Sequence, residues 1–329
     1  MKVPQKMCAP DVSRLVRVLS SRASSAYFIY LFFILTAAVG RAQSGASVYP
    51  AGVDTILSGL QPSPGKTMIY DYTSFYYANE TVGPDGLNSG TEFKLRVFAD
   101  AIKVVHNWNV PFLGGTLHSN LIVPILDTVL HVSGGRENKA GIGNISAALL
   151  GSSYHRKTVH WYYEGDVFFP APSYLMTDTL NEGQHNFAAG PAGAITYLPF
   201  EGKTEFSSKF QFLINSTNDQ SHYRSGNEFT WEYDAMQTVN THLSFGVSGA
   251  LFKQVTDDKS NGISAAGGGS RSRNVLIGPQ LGFHVGRVGG AFKYQRDTLV
   301  LNHPRGNTVW FQCAFLLNRH VDQRQYPVD

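Results

Sequence analysis

Cysteine is nearly absent from this chain: there are two in 329 residues, Cys8 and Cys313. If the first is lost with a leader, one remains. An internal disulfide and a cysteine-built metal site are then both excluded. Charge is also scarce, at 16% Asp, Glu, Lys and Arg, well below the usual quarter. The net charge of +3 is spread along the chain, so nucleic acid is not an expected partner. Helical periodicity is missing: no segment carries a convincing amphipathic stripe or heptads. Beyond the N-terminus no apolar run is long enough for a membrane-crossing helix. If the mature chain enters a membrane, it does so as a barrel.

The N-terminal 42 residues read as a signal peptide. Lys2, Lys6, Arg14, Arg17 and Arg22 make a long basic stretch, and Ala26 to Val39 is an apolar run of 14 residues. Gly40-Arg41-Ala42 supplies small residues at the recognition positions, which places cleavage before Gln43. Cys8 lies upstream of the apolar run, so a lipoprotein anchor is not expected. Residues 43–65 are irregular, with Pro50, Pro62 and Pro64, and form a segment able to plug or line a barrel.

What the chain does have is aromatic residues (12%), 33 glycines and strict alternation. Glu228 to Gln254 shows it best. Phe229, Trp231, Tyr233 and Ala235 share one face, while Glu228, Thr230, Glu232 and Asp234 share the other. A period of two is a strand with two unlike faces. Carboxylates at this density cannot sit unpaired in a dry core. Either the aromatic face packs inward and the polar face meets bulk water, or the aromatic face meets lipid and the polar face lines a lumen. Alternation and turn signals give about twelve strands between 66 and 317, approximately 66–79, 92–106, 116–126, 141–154, 159–169, 186–198, 203–214, 228–238, 242–256, 273–285, 288–297 and 308–317. The connections alternate between long (80–91, 127–140, 170–185, 215–227, 257–272 and 298–307) and tight or intermediate. Outer-membrane barrels segregate their loops this way, and a soluble sandwich has no reason to. The fold class expected is all-β: an antiparallel, up-and-down transmembrane β-barrel over 66–317, followed by a polar tail, 318–329.

Several stretches carry a resemblance. VYPAGVDTILSGLQPSPG (48–65), YRSGNEF (223–229), FKQVTDD (252–258) and NVLIGPQLGF (274–283) are similar to the phenol meta-degradation family, also called the MetA-pathway or SphA-like outer-membrane family. The resemblance implies an outer-membrane barrel that takes up aromatic or other hydrophobic compounds, with no catalytic residues to carry over. It implies residence in outer-membrane lipid and lipopolysaccharide, and insertion by the barrel-assembly machinery. Barrels usually end on an aromatic residue, whereas here Phe315-Leu316-Leu317 is followed by the polar tail.

Signatures of catalysis are incomplete along the chain. There is no H-E-x-x-H, and the 11 histidines are scattered; His155 and His160 have no metal-ligand company in the sequence, and His155 reads as part of a solvated basic turn. Gly246-Val247-Ser248-Gly249-Ala250 lacks the last glycine of a nucleophile elbow and lies mid-strand. GGGSRSR (267–273) resembles a phosphate cradle without the following Lys-Ser/Thr or helix. Glu164, Asp166, Glu228, Glu232 and Asp234 are expected to pair across a lumen with Lys94, Arg96, Lys203, Lys209 and Lys293 rather than to catalyse. The expectation is a channel for small hydrophobic solutes, without enzymatic turnover, cofactor or metal. Candidate lumen or route-lining residues are Tyr70, Tyr72, Phe75, Tyr76, Phe98, Arg96, Glu164 and Glu232. The alternatives are an outer-membrane lipid-modifying enzyme, and a structural or soluble periplasmic binding barrel.

Overall fold

In a computed structural model, residues 47–265 and 269–317 are described; the expected signal peptide and polar tail lie outside them. The strands follow in chain order: β1 (Thr67–Val82), β2 (Phe93–Phe112), β3 (Gly115–Val132), β4 (Gly135–Ile142), β5 (Ser146–Arg156), β6 (Val159–Phe168), β7 (Ala188–Tyr197), β8 (Thr204–Asn215), β9 (Tyr223–Arg224), β10 (Glu228–Asn240), β11 (Leu243–Gln254), β12 (Lys259–Ser260), β13 (Ile263–Ser264), β14 (Arg273–Val285), β15 (Val288–Asp297) and β16 (His303–Leu316). Thirteen of them form one antiparallel sheet, and the β2–β3 pairing closes it into a ring. β4 pairs with the outer half of β3 and β5 with its inner half, so these two share one position in a twelve-strand barrel. Closure pairs both edges of every long strand of the ring, which is what a sheet in lipid needs, and leaves only β4 with a single partner. The short strands β9, β12 and β13 make a separate three-stranded sheet over two of the long loops.

Side chains divide by parity along each strand. On β10, Glu228, Thr230, Glu232 and Asp234 are buried inside, while Trp231 stands outside. On β8, Glu205, Ser207, Lys209 and Gln211 point in and Phe206 and Phe210 point out. The outer wall is an apolar band of residues such as Phe245, Phe292, Val309 and Phe311. The buried inner face is polar, the inverse of a soluble barrel. The membrane-barrel pattern therefore holds.

Two expected loops are strand instead. Residues 107–115 carry β2 and β3 on to a tight turn at Leu113-Gly114, both at positive φ (49° and 86°), as a type I′ turn requires. Residues 127–140 continue β3 into β4 around Ser133-Gly134. Arg136, Asn138 and Ala140 are exposed there and their β4 neighbours are only half-buried. A strand with no well-buried face shows no clear alternation, and that is why its sequence reads as loop. The remaining connections segregate by length. Lys157-Thr158, Thr241-His242 and Gly286-Arg287 are two-residue turns at the same end as Leu113-Gly114; the long loops lie at the other.

Phe292 is 49% exposed in the middle of β15, in contact with the rings of Phe283 and Phe311. Phe292→Lys is expected to lose about 2–4 kcal/mol, the cost of a cation on the lipid face near midplane. The check is the heating temperature at which the folded, fast-migrating gel band disappears. An unchanged temperature would put Phe292 outside the lipid belt.

Candidate functional site

The lumen is occupied by the chain's own N-terminal segment. Residues 47–65 run through it and are bonded to seven strands: β2, β7, β8, β10, β14, β15 and β16. Much of the segment's hold is polar. Glu232 is the central acceptor. It receives the Tyr49 hydroxyl (2.5 Å), the Gly52 N–H (2.6 Å) and the Asp54 N–H (3.3 Å). Glu228 accepts from the Ser47 hydroxyl, and Glu205 from the Leu57 N–H (2.5 Å). Lys293 Nζ donates to the carbonyls of Gly52 (2.7 Å) and Val53 (2.9 Å) and to Thr55 Oγ1 (3.2 Å). Gln312 Nε2 donates to the Val53 carbonyl (2.6 Å), Thr55 Oγ1 donates to Gln280 Oε1 (2.8 Å), and Gly59 N–H donates to Thr196 Oγ1 (2.9 Å). Gly52 sits at φ 89°, and a side chain there would meet Gln295 Oε1 at 2.3 Å. Only glycine brings that backbone so close to the wall.

One ion cluster anchors the segment. Asp54 lies between Lys103 (3.2 Å) and Lys209 (3.0 Å), all three nearly buried. Burial alone would raise the Asp54 carboxyl. The two ammoniums more than offset it and hold the group well below the usual carboxylate range. For Tyr49, burial and then the Glu232 charge push the phenol above its ordinary value, so it stays a donor.

An apolar cluster rests on this polar seat. Tyr49 and Val53 of the segment pack with Tyr72, Phe168, Leu213 and Trp310 of the wall, and Tyr70 and Ala101 adjoin them. The rings of Tyr49 and Phe168 meet edge to face at 6.5 Å, and those of Tyr70 and Tyr72 stack at 5.9 Å. Lys209 lies over Tyr49 (4.9 Å), Lys103 over Tyr70 (5.6 Å) and Lys293 over Trp310 (5.2 Å). Each lysine thus faces both the docked segment and an aromatic ring, at distances suited to cation–π attraction.

The family model described as "Putative MetA-pathway of phenol degradation" matches residues 78–313. The chain belongs to this family. The match begins after the N-terminal segment, so the MetA-pathway model covers the barrel and not its occupant. Among solved structures, an outer-membrane channel designated COG4313 from Pseudomonas putida F1 is similar in fold. Its TM-score is 0.67 at 14% identity, over 82% of this chain and 100% of that one. The translocator domain of the autotransporter NalP from Neisseria meningitidis is more distant, with a TM-score of 0.42 at 8% identity, over 77% of this chain and 89% of that one. No curated protein matches the chain.

The structure sorts the residues singled out in this MetA-pathway chain into two sets. Tyr70, Tyr72, Glu164 and Glu232 lie on the inner face, as does Tyr76, whose hydroxyl donates to Asp297 Oδ2 (3.0 Å). Phe75, Phe98 and Arg96 face outward: the two phenylalanines are nearly half exposed, and Arg96 covers the Tyr77 ring at 5.9 Å. Of the cations expected to pair with luminal carboxylates, Lys209 and Lys293 are inside. Lys94 and Arg96 are on the outer wall, and Lys203 is in an exposed turn beside Glu201. Glu164 accepts from Asn120 Nδ2 (2.8 Å) and bonds His118 Nε2 (3.0 Å). Sequence reasoning did not find Tyr49, Asp54, Lys103, Phe168 or Trp310 as site residues. Trp310 did show a signal, since alternation placed it on the polar face beside Gln312.

Proposed function

We propose that the chain is an outer-membrane channel for small hydrophobic compounds, aromatic ones among them, and that residues 47–65 gate it. The observation that carries this reading is the aromatic cluster of Tyr49, Tyr70, Tyr72, Phe168 and Trp310 inside an otherwise polar lumen. A water-filled pore for polar solutes has no use for buried tryptophan and phenylalanine, whereas an apolar solute in transit needs such a surface. The gate supplies one wall of the cluster, Tyr49, so moving it would open the path and remake the binding surface in one step. Membership of the MetA-pathway family and the channel-like fold support the reading. The turn end would face the periplasm, where the N-terminal segment enters after leader removal near Ala42. The long loops would face outward. Lys94, Arg96, Lys253 and Arg296, exposed on the outer wall near the loop end, would meet the phosphates of lipopolysaccharide.

Deleting Ala51–Gly65 is expected to raise the flux of aromatic and alkyl solutes into proteoliposomes, with the heat-modifiable barrel band retained. A folded deletion variant with unchanged flux would overturn the gating role. Flux of small polar solutes alone would overturn the hydrophobic specificity.

A further inference from the structure

The β5–β6 hairpin turns at Lys157-Thr158 and sets His155 directly opposite His160. Both side chains lie on the luminal side of the hairpin, in the same row as Ser153, Tyr162 and Glu164. Their Nδ1 atoms are 3.0 Å apart, with ring centroids at 5.3 Å and planes inclined by 55°. His160 is 6% exposed, whereas His155 is exposed at the open end of the hairpin. The two rings thus converge nitrogen to nitrogen at a place that an ion can reach.

Two neutral imidazoles can satisfy this geometry in two ways. One Nδ1 carries a hydrogen and donates it to the other, or both carry their hydrogen on Nε2 and direct two lone pairs at one point. A metal ion about 2.0–2.1 Å from each nitrogen in tetrahedral geometry holds them about 3.3 Å apart. That spacing is within a few tenths of an ångström of the one observed, so a small ring rotation suffices. The strand pairing fixes the two backbones in advance, and little ordering remains to oppose binding. Arg156 and Lys157 are the adjacent cations. Both are exposed, and Arg156 pairs with Val159 on the opposite parity from the histidines, so their repulsion is screened by water. Among the described residues no group of three or more His, Cys, Asp or Glu side chains could hold a metal ion. The protein therefore offers two ligands, and water completes the shell. A two-imidazole site of this kind suits borderline ions and exchanges them readily.

We propose that His155 and His160 bind one divalent transition-metal ion, Cu2+, Zn2+ or Ni2+, between their Nδ1 atoms at the turn end of the lumen. The site adjoins the N-terminal segment: a Cβ built on Gly59 would lie 2.6 Å from the His160 carbonyl oxygen. The proposal does not depend on the channel reading, because the ligands belong to the wall.

The test uses the tag-free full chain in detergent micelles, titrated with CuCl2 and followed by electron paramagnetic resonance, with ZnCl2 followed by calorimetry. The expected result is one Cu2+ per chain with hyperfine coupling to two imidazole nitrogens. His155→Asn and His160→Asn should each weaken binding by about tenfold or more, since losing a direct ligand costs at least as much as losing an outer-shell partner. His242→Asn, at a separate turn, should leave binding unchanged. Heat-modifiability certifies that each variant is folded. Because His155 lies at the exposed end of the hairpin, its variant alone decides the matter if His160→Asn does not assemble. Absence of a nitrogen-coupled signal in the native chain, or equal binding by folded His155→Asn, would overturn the proposal and leave a hydrogen-bonded pair.

Discussion

Asp54→Asn is expected to undock the N-terminal segment. Among the described residues, this carboxylate is the one acid within ion-pair distance of two nearly buried ammoniums, Lys103 and Lys209. The amide keeps the shape and removes the charge, which leaves two like charges close together without the carboxylate that bonds them both. Breaking a buried ion pair from one side costs about 3–5 kcal/mol, because the abandoned partner stays desolvated. The segment's other polar anchors are hydrogen bonds that water can replace once it enters. A cysteine reporter at Ser58, which is buried in the docked state, makes the outcome measurable. Its modification by a water-soluble thiol reagent should accelerate by orders of magnitude in the Asp54→Asn background. The native Cys313, half-buried, is replaced by alanine in both chains. Equal protection in the two chains would show that the ion cluster does not hold the segment.

The same cluster fixes a pH dependence. The folded-state pKa of Asp54 is depressed, so its contribution is fully present above the ordinary aspartate value of about 3.9 and is lost only as pH falls through the depressed value. Mild acid should therefore not mimic Asp54→Asn. The Ser58→Cys reporter is expected to stay protected at about pH 5, a unit above that ordinary value. Release in that range would mean that Asp54 is not what keeps the segment docked, and would point to its other acid acceptors, Glu228 and Glu232.

How much of this was legible beforehand follows from what alternation encodes. On β10 the two faces differ sharply, and the carboxylates at 228, 232 and 234 forced a choice between bulk water and lumen; the long-short loop rhythm then decided for a barrel. On β1 the candidates Tyr70, Tyr72 and Tyr76 share one parity and Phe75 has the other. No single wall could present all four, and the structure divides them accordingly. On β2 the run Ala101-Ile102-Lys103-Val104-Val105 is apolar on both sides of its lysine. Lys103 therefore gave no sign of facing a carboxylate, although it does. Asp54 was harder still. Its partners lie 49 and 155 residues away, and no local pattern joins the irregular segment 47–65 to the lumen it fills. The His155–His160 contact needed only the register of one hairpin. A solvated-turn reading missed it because parity within the turn was left unassigned.

Glu232→Ala is the second substitution with a large expected effect, and its comparison with milder changes tests the proposed gate. The side chain accepts three donors from the segment: the Tyr49 hydroxyl and the backbone N–H groups of Gly52 and Asp54. Alanine orphans all three in a buried setting, at about 1–3 kcal/mol for each donor left without a partner. Glu232→Gln keeps one carbonyl oxygen for the two backbone donors and should cost clearly less. Lys293→Met should also cost less, although Lys293 is equally buried. Of the three groups that it leaves, the Val53 carbonyl retains Gln312 Nε2 (2.6 Å), the Gly52 carbonyl retains Gln295 Nε2 (3.5 Å) and Thr55 Oγ1 still donates to Gln280, so each keeps a second partner. The Ser58→Cys modification rate should thus be fastest in Glu232→Ala, with Glu232→Gln and Lys293→Met behind it. Solute flux should follow the same order if gate position controls passage. Glu232→Gln as severe as Glu232→Ala would mean that charge, rather than the number of accepted hydrogen bonds, keeps the segment in place. Tyr49 connects the two readouts: it donates to Glu232 and also forms one side of the aromatic cluster. A variant that frees Tyr49 should therefore lose affinity for aromatic solutes as it gains flux, a pairing that a rigid, permanently plugged barrel would not produce.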